Sequence, residues 1–228
     1  RTEAGEVIYE NGLPTFDDKV SVLGNGNYDF TLGFRNAFSY KNLSMSVLVD
    51  MKFGADVYSM SKMQSHVNGT SKETLEGREG WYASEQARLS ANVDAKDWTP
   101  TGGYIGKGVK AVTDADGNVS YVPNDVYVDP AKYWQALQNS SPEPFICDNS
   151  FVKLREVSLS YSCPKKWFVH TPIESVTLSA YGRNLLLIYS KVDNIDPESS
   201  YNNGNGQGFE YGSLPSRRTF GFGINVKF

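Results

Sequence analysis

Apolar and polar positions alternate along five stretches of this 228-residue chain, and the last stretch shows it most clearly. Counting back from the C-terminus in twos gives Phe228, Val226, Ile224, Phe222 and Phe220. The residues between them are Lys227, Asn225, Gly223, Gly221 and Thr219. Successive side chains of a strand point to opposite faces, so one face here is wholly apolar and the other small or polar. Two media accept such a face: the interior between the sheets of a soluble sandwich, or the hydrocarbon around a membrane barrel.

The same period governs residues 28–40, where Tyr28, Phe30, Leu32, Phe34, Asn36, Phe38 and Tyr40 face one way. Asp29, Thr31, Gly33, Arg35, Ala37 and Ser39 face the other. Tyrosines at both ends of the apolar row suit the two interfaces of a bilayer. Lys41-Asn42 is a two-residue connection. Residues 43–57 then place Leu43, Met45, Val47, Val49, Met51, Phe53, Ala55 and Val57 opposite Ser44, Ser46, Leu48, Asp50, Lys52, Gly54 and Asp56. Runs of about 13 to 15 residues are more than twice the usual strand length, and tilted by roughly 40° they span an apolar band about 25 Å tall. Arg35, Asp50 and Lys52 all fall on the polar side. On a lipid-facing side at mid-membrane, an Arg or Lys would cost about 2–4 kcal/mol.

From residue 58 to 150 the period is lost. Turn chemistry recurs at Asn68-Gly69, Gly102-Gly103 and Asp116-Gly117-Asn118. Thr70 to Ala91 is polar enough for short helical turns, and a helix is expected from Asp129-Pro130 to Asn139. A loop of this length carries its own packing or a function. Among its aromatics, Trp81, Tyr82 and Trp98 are the candidates for contact with a ligand; such residues equally build a loop's own small core. Alternation resumes at Phe151, with Val157, Leu159 and Tyr161 on one face and Glu156, Ser158, Ser160 and Ser162 on the other. Val152 and Leu154 fit the opposite phase, which predicts a bulge near Arg155. A fourth strand begins near Ser175 and loses alternation over Leu185 to Tyr189. Residues 190–216, with Asp196-Pro197 and the tip Asn202 to Gly208, form a second long loop before the terminal strand.

Sorting the connections separates two sides. Antiparallel strands put alternate linkers at the same end, so loops 58–150 and 190–216 share a side with residues 1–27. The turns 41–42 and 163–174 and the C-terminus share the other. Outer-membrane barrels have this asymmetry, with long extracellular loops and short periplasmic turns. The expected fold is therefore all-β: the strands of an antiparallel transmembrane β-barrel. It divides into the end of a loop (1–27), a transmembrane hairpin (28–57), a long extracellular loop (58–150), two strands joined by a periplasmic turn (151–189), an extracellular loop (190–216) and a closing strand (217–228). Five strands do not close a barrel whose minimum is eight, so further strands are expected ahead of Arg1.

Composition agrees with this picture. A mean hydropathy of -0.43 and the lack of any run of 18 apolar residues exclude a transmembrane helix but not a barrel, in which half of each strand faces a polar lumen. A net charge of -4 with no basic cluster leaves nothing to neutralise phosphates, which excludes nucleic acid as a partner. Arg1 is preceded by neither Met nor signal peptide, as expected of a chain that begins partway through a longer protein. Cys147 and Cys163 would lie about 40 Å apart at the ends of one strand at roughly 3.3 Å per residue, so two thiols are expected rather than a bridge. Catalytic chemistry finds no support: His66 and His170 fall in linkers on opposite sides, and no nucleophile-elbow spacing occurs. Asp193, Asp196 and Glu198 offer ligands for Ca²⁺ or a solvated acidic turn. No metal or cofactor is expected.

The stretch Phe151 to Trp167, the stretch Ser179 to Leu187 followed by Asp196-Pro197-Glu198, and the ending Leu214 to Phe228 resemble the last strands of SusC/RagA-like TonB-dependent outer-membrane transporters. Leu23-Gly-Asn25, Phe30 to Phe34 and Asp50 to Tyr58 resemble the hairpin before them, and Gly77-Arg-Glu-Gly-Trp-Tyr82 resembles the large extracellular loop. The matches run in order from about residue 20 to 228. The resemblance implies the C-terminal part of a 22-stranded barrel with an N-terminal plug, in the bacterial outer membrane. It also implies TonB-driven import of oligosaccharides or oligopeptides, with a SusD-like surface lipoprotein as lid. The plug and its TonB box are not in this chain. The family's acidic, glycine-rich stretch is altered here to Tyr9 to Asp18, and no ion site is carried over.

On this reading the lipid meets Phe30, Phe34, Phe38, Val47, Val49, Phe220, Phe222, Ile224, Val226 and Phe228. The lumen is lined by Arg35, Asp50, Lys52, Arg183, Asn225 and Lys227. A soluble lectin-like sandwich and a non-transporting barrel or adhesin remain as alternatives at this point. They differ in what touches the Phe220-to-Phe228 row and in whether a plug is present.

Overall fold

Strands outnumber helices among the described residues, and the three α-helices all fall within residues 60–138. The computed structural model describes residues 1–16, 20–138, 141–199, 204 and 206–228. Asp17 and Asp18 of the altered acidic stretch, Asn139, and Asn202, Asn203 and Asn205 of the second loop's tip lie outside the described residues. The elements begin with β1 (Ile8–Glu10), β2 (Leu13–Pro14), β3 (Phe30–Tyr40), β4 (Leu43–Phe53) and β5 (Asp56–Ser59). Then come α1 (Met60–Val67), α2 (Arg78–Ser90), β6 (Val109–Thr113), β7 (Val119–Pro123) and α3 (Pro130–Gln138). The chain finishes with β8 (Ile146–Asp148), β9 (Phe151–Ser162), β10 (Ser175–Ser190), β11 (Phe209–Glu210) and β12 (Thr219–Lys227). These fall into two compact units, one of residues 1–23 and 60–145, the other of residues 24–59 and 146–228.

The second unit is built on a five-stranded antiparallel sheet in the order β12-β10-β9-β4-β3. Its register brings like faces together. Phe34 pairs with Val49, Val47 with Val157, Leu159 with Ala180, and Ala180 with Phe222. The apolar rows of all five strands thus merge into one continuous face. That face is not covered: Phe222 is 87% exposed, Phe34 55% and Leu178 43%. The opposite face carries serine ladders, including Ser46 bonded to Ser158 at 2.8 Å, and the charged residues. A sandwich interior would bury the apolar face, and among the described residues of this unit no second sheet covers it. Among the described residues the sheet is also open, with β3 and β12 as unpaired edges.

Strand β4 is shorter than its alternation suggests. Apolar-polar alternation continues to Val57, but the ladder ends at Phe53 because Gly54 turns left-handed (φ 88°), where a Cβ would meet the Asp29 carboxylate. Beyond it β5 joins a separate small sheet in the order β11-β5-β8. Strand β3 likewise starts at Phe30 rather than Tyr28. The phase break near Arg155 is a bulge: Leu48 pairs with Glu156 and Val49 with Leu154, leaving Arg155 as the extra residue. The lost alternation in β10 is two further register shifts, at Arg183/Leu186 and Leu187/Tyr189. Segments 54–150 and 191–218 leave the sheet at the end where Lys52 pairs with Phe151 and Ser190 with Phe151. The turns 41–42 and 163–174 and Lys227, which pairs with Ser175, lie at the other end.

The first unit holds what the sequence offered only as loop. Residues 1–27 include β1 and β2, and β1 pairs parallel with β6, Ile8 opposite Val109, completing a sheet in the order β2-β1-β6-β7. Strands of three and two residues are too short to show a period. Where helical turns were expected, α2 is a 13-residue helix, and α3 begins at Pro130 as its sequence predicts. The core is aromatic. Tyr104 lies 4.4 Å from Tyr133 and His66 4.6 Å from Trp134 between ring centroids, and Phe145 is buried beside them. No described helix is long and apolar enough to cross a membrane, which says nothing of strands.

Candidate functional site

The polar face of the five-stranded sheet concentrates its charge at the end from which the long segments leave. Lys153 sits opposite Asp50 across the β4–β9 ladder. Its Nζ donates to Glu198 at 2.7 Å, to Asp196 at 3.1 Å and to Ser216 Oγ at 2.8 Å. The bulge directs the next cation to the same place: Arg155 donates to Asp50 at 2.6 Å, to Glu198 at 2.8 Å and to Asn184 at 2.7 Å. The Ser216 amide and hydroxyl both donate to Asp196. Asp196 and Glu198 belong to the returning segment 191–218, so this cluster ties that segment to the strands.

Burial pushes the carboxyls of Asp196 and Glu198 up, but their hydrogen bonds outweigh it. Donors from Ser216, the Glu198 amide and Lys153 hold Asp196 below its ordinary range, and Arg155 and Lys153 do the same for Glu198. Both carboxylates are ionised at neutral pH and committed to resident cations. That accounts for the Asp-Pro-Glu motif better than Ca²⁺ ligation, since a metal would have to displace Lys153 and Arg155.

The residues read from sequence as lumen-lining have these surroundings. Asp50 joins the cluster. Lys52 lies over the rings of Tyr28 and Phe151, at 5.3 and 5.8 Å. Arg183 donates to Glu156 at 2.7 Å and lies 5.1 Å from the Tyr181 ring. Lys227 pairs with Glu174 at 2.8 Å, Asn225 is opposite Thr177, and Arg35 is opposite Leu48 on the exposed strand β3. Lys153 is not singled out by the sequence, Arg155 only as the place of a bulge, and Glu198 only as a ligand for Ca²⁺ or part of an acidic turn. The signals were present, as a phase break at Arg155 and an acidic pair around Pro197, but only the fold brings them together.

In the first unit, Trp81 and Tyr82 line a cavity of about 380 Å³ with Arg78, Asp129, Trp134 and Gln135. Gly77 precedes α2 in the left-handed region (φ 80°), with Gly103 packed where its Cβ would be, and this turn aims Arg78 back over the preceding loop. The Arg78 Nε donates to Thr74 O at 2.7 Å, and Nη2 to Gly69 O at 2.6 Å and Thr74 Oγ1 at 2.7 Å. Beside it His66, buried, contacts Lys62 O at 2.8 Å and Glu73 at 2.9 Å, and the bond from His66 lowers the Glu73 carboxyl. Trp98 is placed otherwise: it donates to Ser84 Oγ at 3.1 Å and braces α2, and it is not among the residues lining the cavity. Among the described residues no cluster of His, Cys, Asp and Glu is arranged to hold a metal.

With this geometry in hand, the chain is similar to two curated proteins of Formosa agariphila. TonB-dependent receptor P3 is 27% identical over 222 residues, and TonB-dependent receptor P26 is 29% identical over 223. The matches cover 95% and 96% of this chain but 18% and 19% of the receptors, so the chain spans about a fifth of the length of these relatives. Among solved structures, the RagAB peptide importer in its 'closed-closed' state matches with a TM-score of 0.54 at 16% identity, over 98% of this chain and 20% of that one. A structure of the RagAB peptide transporter gives 0.54 at 18% identity over the same shares. No protein-family model matches. The likeness to TonB-dependent receptors is thereby shown over nearly the whole chain, and the structural neighbours share its fold.

Proposed function

We propose, from a chain similar over nearly its whole length to TonB-dependent receptors, that it is a wall segment of an outer-membrane β-barrel that imports nutrients. The observation that carries this reading is the uncovered apolar face. Five paired strands present one continuous apolar surface outward while the charged and hydroxylated side chains share the opposite face. Water penalises exposure of such a surface at about 25 cal/mol per Å² of apolar area, whereas lipid does not. In the barrel, Phe30, Phe34, Phe38, Val47, Val49, Phe220, Phe222, Ile224, Val226 and Phe228 meet hydrocarbon. Arg35, Asp50, Lys52, Arg183, Asn225 and Lys227 line the lumen together with Lys153 and Arg155. The edges β3 and β12 pair with further strands of the same protein.

The segments leaving the loop end lie outside the cell and the turns 41–42 and 163–174 in the periplasm, with the C-terminus. The cargo is an oligosaccharide or an oligopeptide. A SusD-like lipoprotein covers the extracellular side, and TonB acts through a plug supplied elsewhere in the protein. One solved neighbour is a peptide importer by name, which supports transport over catalysis.

Two tryptophan variants test the wall. Phe222→Trp and Asn225→Trp are reconstituted separately in bilayers containing brominated lipid. Phe222→Trp is strongly quenched and Asn225→Trp is not. Equal quenching at both positions, or none at either, removes the assignment of faces and the barrel wall with it.

A further inference from the structure

We propose that the cavity beside α2 binds a carboxylate carried on a compact body that also offers hydroxyl or amide donors. This deepens the import reading by naming the chemistry that segment 58–150 recognises. The argument begins with Arg78. A guanidinium has five N–H donors in a fixed plane. Three are spent on Thr74 O, Gly69 O and Thr74 Oγ1, which holds that plane in place. The two on Nη1 have no acceptor among the described residues, and Arg78 pairs with no described carboxylate. A half-buried cation with its orientation fixed and one end unused is preorganised for a planar anion.

A second observation is independent of the first. Trp134, 8% exposed, lines the same cavity, and its Nε1–H has no acceptor among the described residues. Unpaired buried donors are uncommon. Asp129 decides what the rest of the ligand is. Its Oδ1 accepts from the Ala131 amide at 2.9 Å, and its remaining oxygen lacks a described donor, so it calls for a hydroxyl or N–H. The rings of Trp81 and Tyr82 supply apolar faces. A neutral sugar leaves Arg78 without a counter-charge, and a bare inorganic anion is repelled by Asp129 and leaves both rings uncovered. A uronic acid and the C-terminal residue of a peptide each satisfy every one of these groups, and about 380 Å³ falls at the lower end of the usual ligand-pocket range.

The test is a titration of the protein purified in detergent, followed by its tryptophan fluorescence, since Trp81 and Trp134 report from within the cavity. D-Glucuronate and N-acetylalanine are compared with their neutral counterparts, D-glucose and N-acetylalaninamide. At least one acid saturates the signal, and its neutral counterpart binds at least tenfold more weakly. Saturation by glucuronate alone marks a sugar acid as cargo, and by N-acetylalanine alone a peptide terminus. Arg78→Met weakens the acid at least tenfold, and Asp129→Asn, which keeps an oxygen for the Ala131 amide but turns an N–H toward the ligand's donor, weakens it several-fold. Should Arg78→Met disturb the loop it ties, Asp129→Asn still decides. Equal binding of acids and neutral compounds, no saturable change with any probe, or an unchanged affinity in Asp129→Asn overturns the proposal. The brominated-lipid measurement is unaffected by any of these outcomes, so a failure of the carboxylate site is separate from a failure of the barrel wall.

Discussion

Replacing Lys153 by methionine should release the 191–218 segment without unfolding the sheet. The side chain is 5% exposed, and its partners Asp196 and Glu198 are 11% and 21% exposed. Methionine keeps most of the volume but leaves Asp196 with no cation and Glu198 with Arg155 alone. Breaking a buried ion pair by removing one partner costs about 3–5 kcal/mol. The carboxylates can recover hydration only if the segment swings away from the strands, so the cost is expressed as local opening. At about 1.4 kcal/mol per factor of ten, amide exchange at Glu198, Ser199 and Ser216 should quicken by about 10²-fold or more. These amides donate to the Asp196 carboxylate or carbonyl at 2.8 to 3.1 Å. Hydrogen exchange by mass spectrometry in detergent reads this directly, with the β10–β12 ladder as internal reference. Wild-type exchange in the segment would refute the reasoning. So would uniform acceleration through the ladder, since Lys153 would then support the strands rather than tie the segment. The pH dependence has a definite sign. Asp196 and Glu198 have folded values below their ordinary ones, so their contribution is complete above the unfolded carboxylate range, near pH 4, and disappears as pH falls through the folded values. Acid should therefore open the wild-type segment, whereas the methionine variant is already open at pH 7.

Three further perturbations probe other parts of the argument. Phe222→Lys places a charge on the apolar face of β12 and should cost about 2–4 kcal/mol in bilayer-embedded protein, whereas Asn225→Lys on the opposite face should cost less than about 1 kcal/mol; urea unfolding from liposomes compares them. Gly77→Ala forces a side chain into the left-handed region against the Gly103 backbone at 2.6 Å and should destabilise the first unit by more than about 1 kcal/mol, visible as faster proteolysis within segment 60–145. Gly221→Val puts methyl groups where the Tyr181 ring lies, 2.3 Å from the added Cβ. Overpacking of that kind costs about 1–3 kcal/mol, and the melting temperature should fall while Gly223→Val, which meets only the Ser179 hydroxyl, lowers it less.

The long strands were legible because each carries its own period, and a period of two over eleven residues leaves little doubt about which residues share a face. Their limits were less legible. Alternation past Phe53 continues to Val57, but only the left-handed turn at Gly54 explains why the ladder stops. The first unit was opaque for a different reason. β1 and β2 are too short to repeat, and the parallel partner of β1 is β6, about a hundred residues away. Parallel pairing at that separation leaves no local trace. Trp81 and Tyr82 could be picked out because paired aromatics in a polar stretch are conspicuous. Arg78, Asp129 and Trp134 belong to the same cavity, yet nothing in their spacing says so.

The bulge at Arg155 shows how one extra residue serves both halves of the molecule's chemistry. Were residues 151–162 paired regularly, with Arg155 in the ladder, the alternation running back from Tyr161 would turn Lys153 and Phe151 to the apolar side and bring Val152 and Leu154 to the polar one. In the proposed barrel a lysine would then face lipid near the loop end of the strand, at a cost below the about 2–4 kcal/mol of mid-membrane. The inserted residue reverses the phase, so that Leu154 lies beside Val49 and Lys153 beside Asp50. It also brings Arg155 and Lys153 to bear on a single glutamate of the returning segment. Deleting Arg155 should accordingly remove the cation without turning the strand over: Leu154 then follows Glu156 in regular alternation, and residues 151–154 keep their faces and their partners on β4. Replacing it with alanine keeps the phase and loses only the bonds to Asp50, Asn184 and Glu198. The two variants should therefore assemble equally well into outer membranes; if the deletion fails where the alanine variant succeeds, Arg155 is not the unpaired residue and this account of the strand fails.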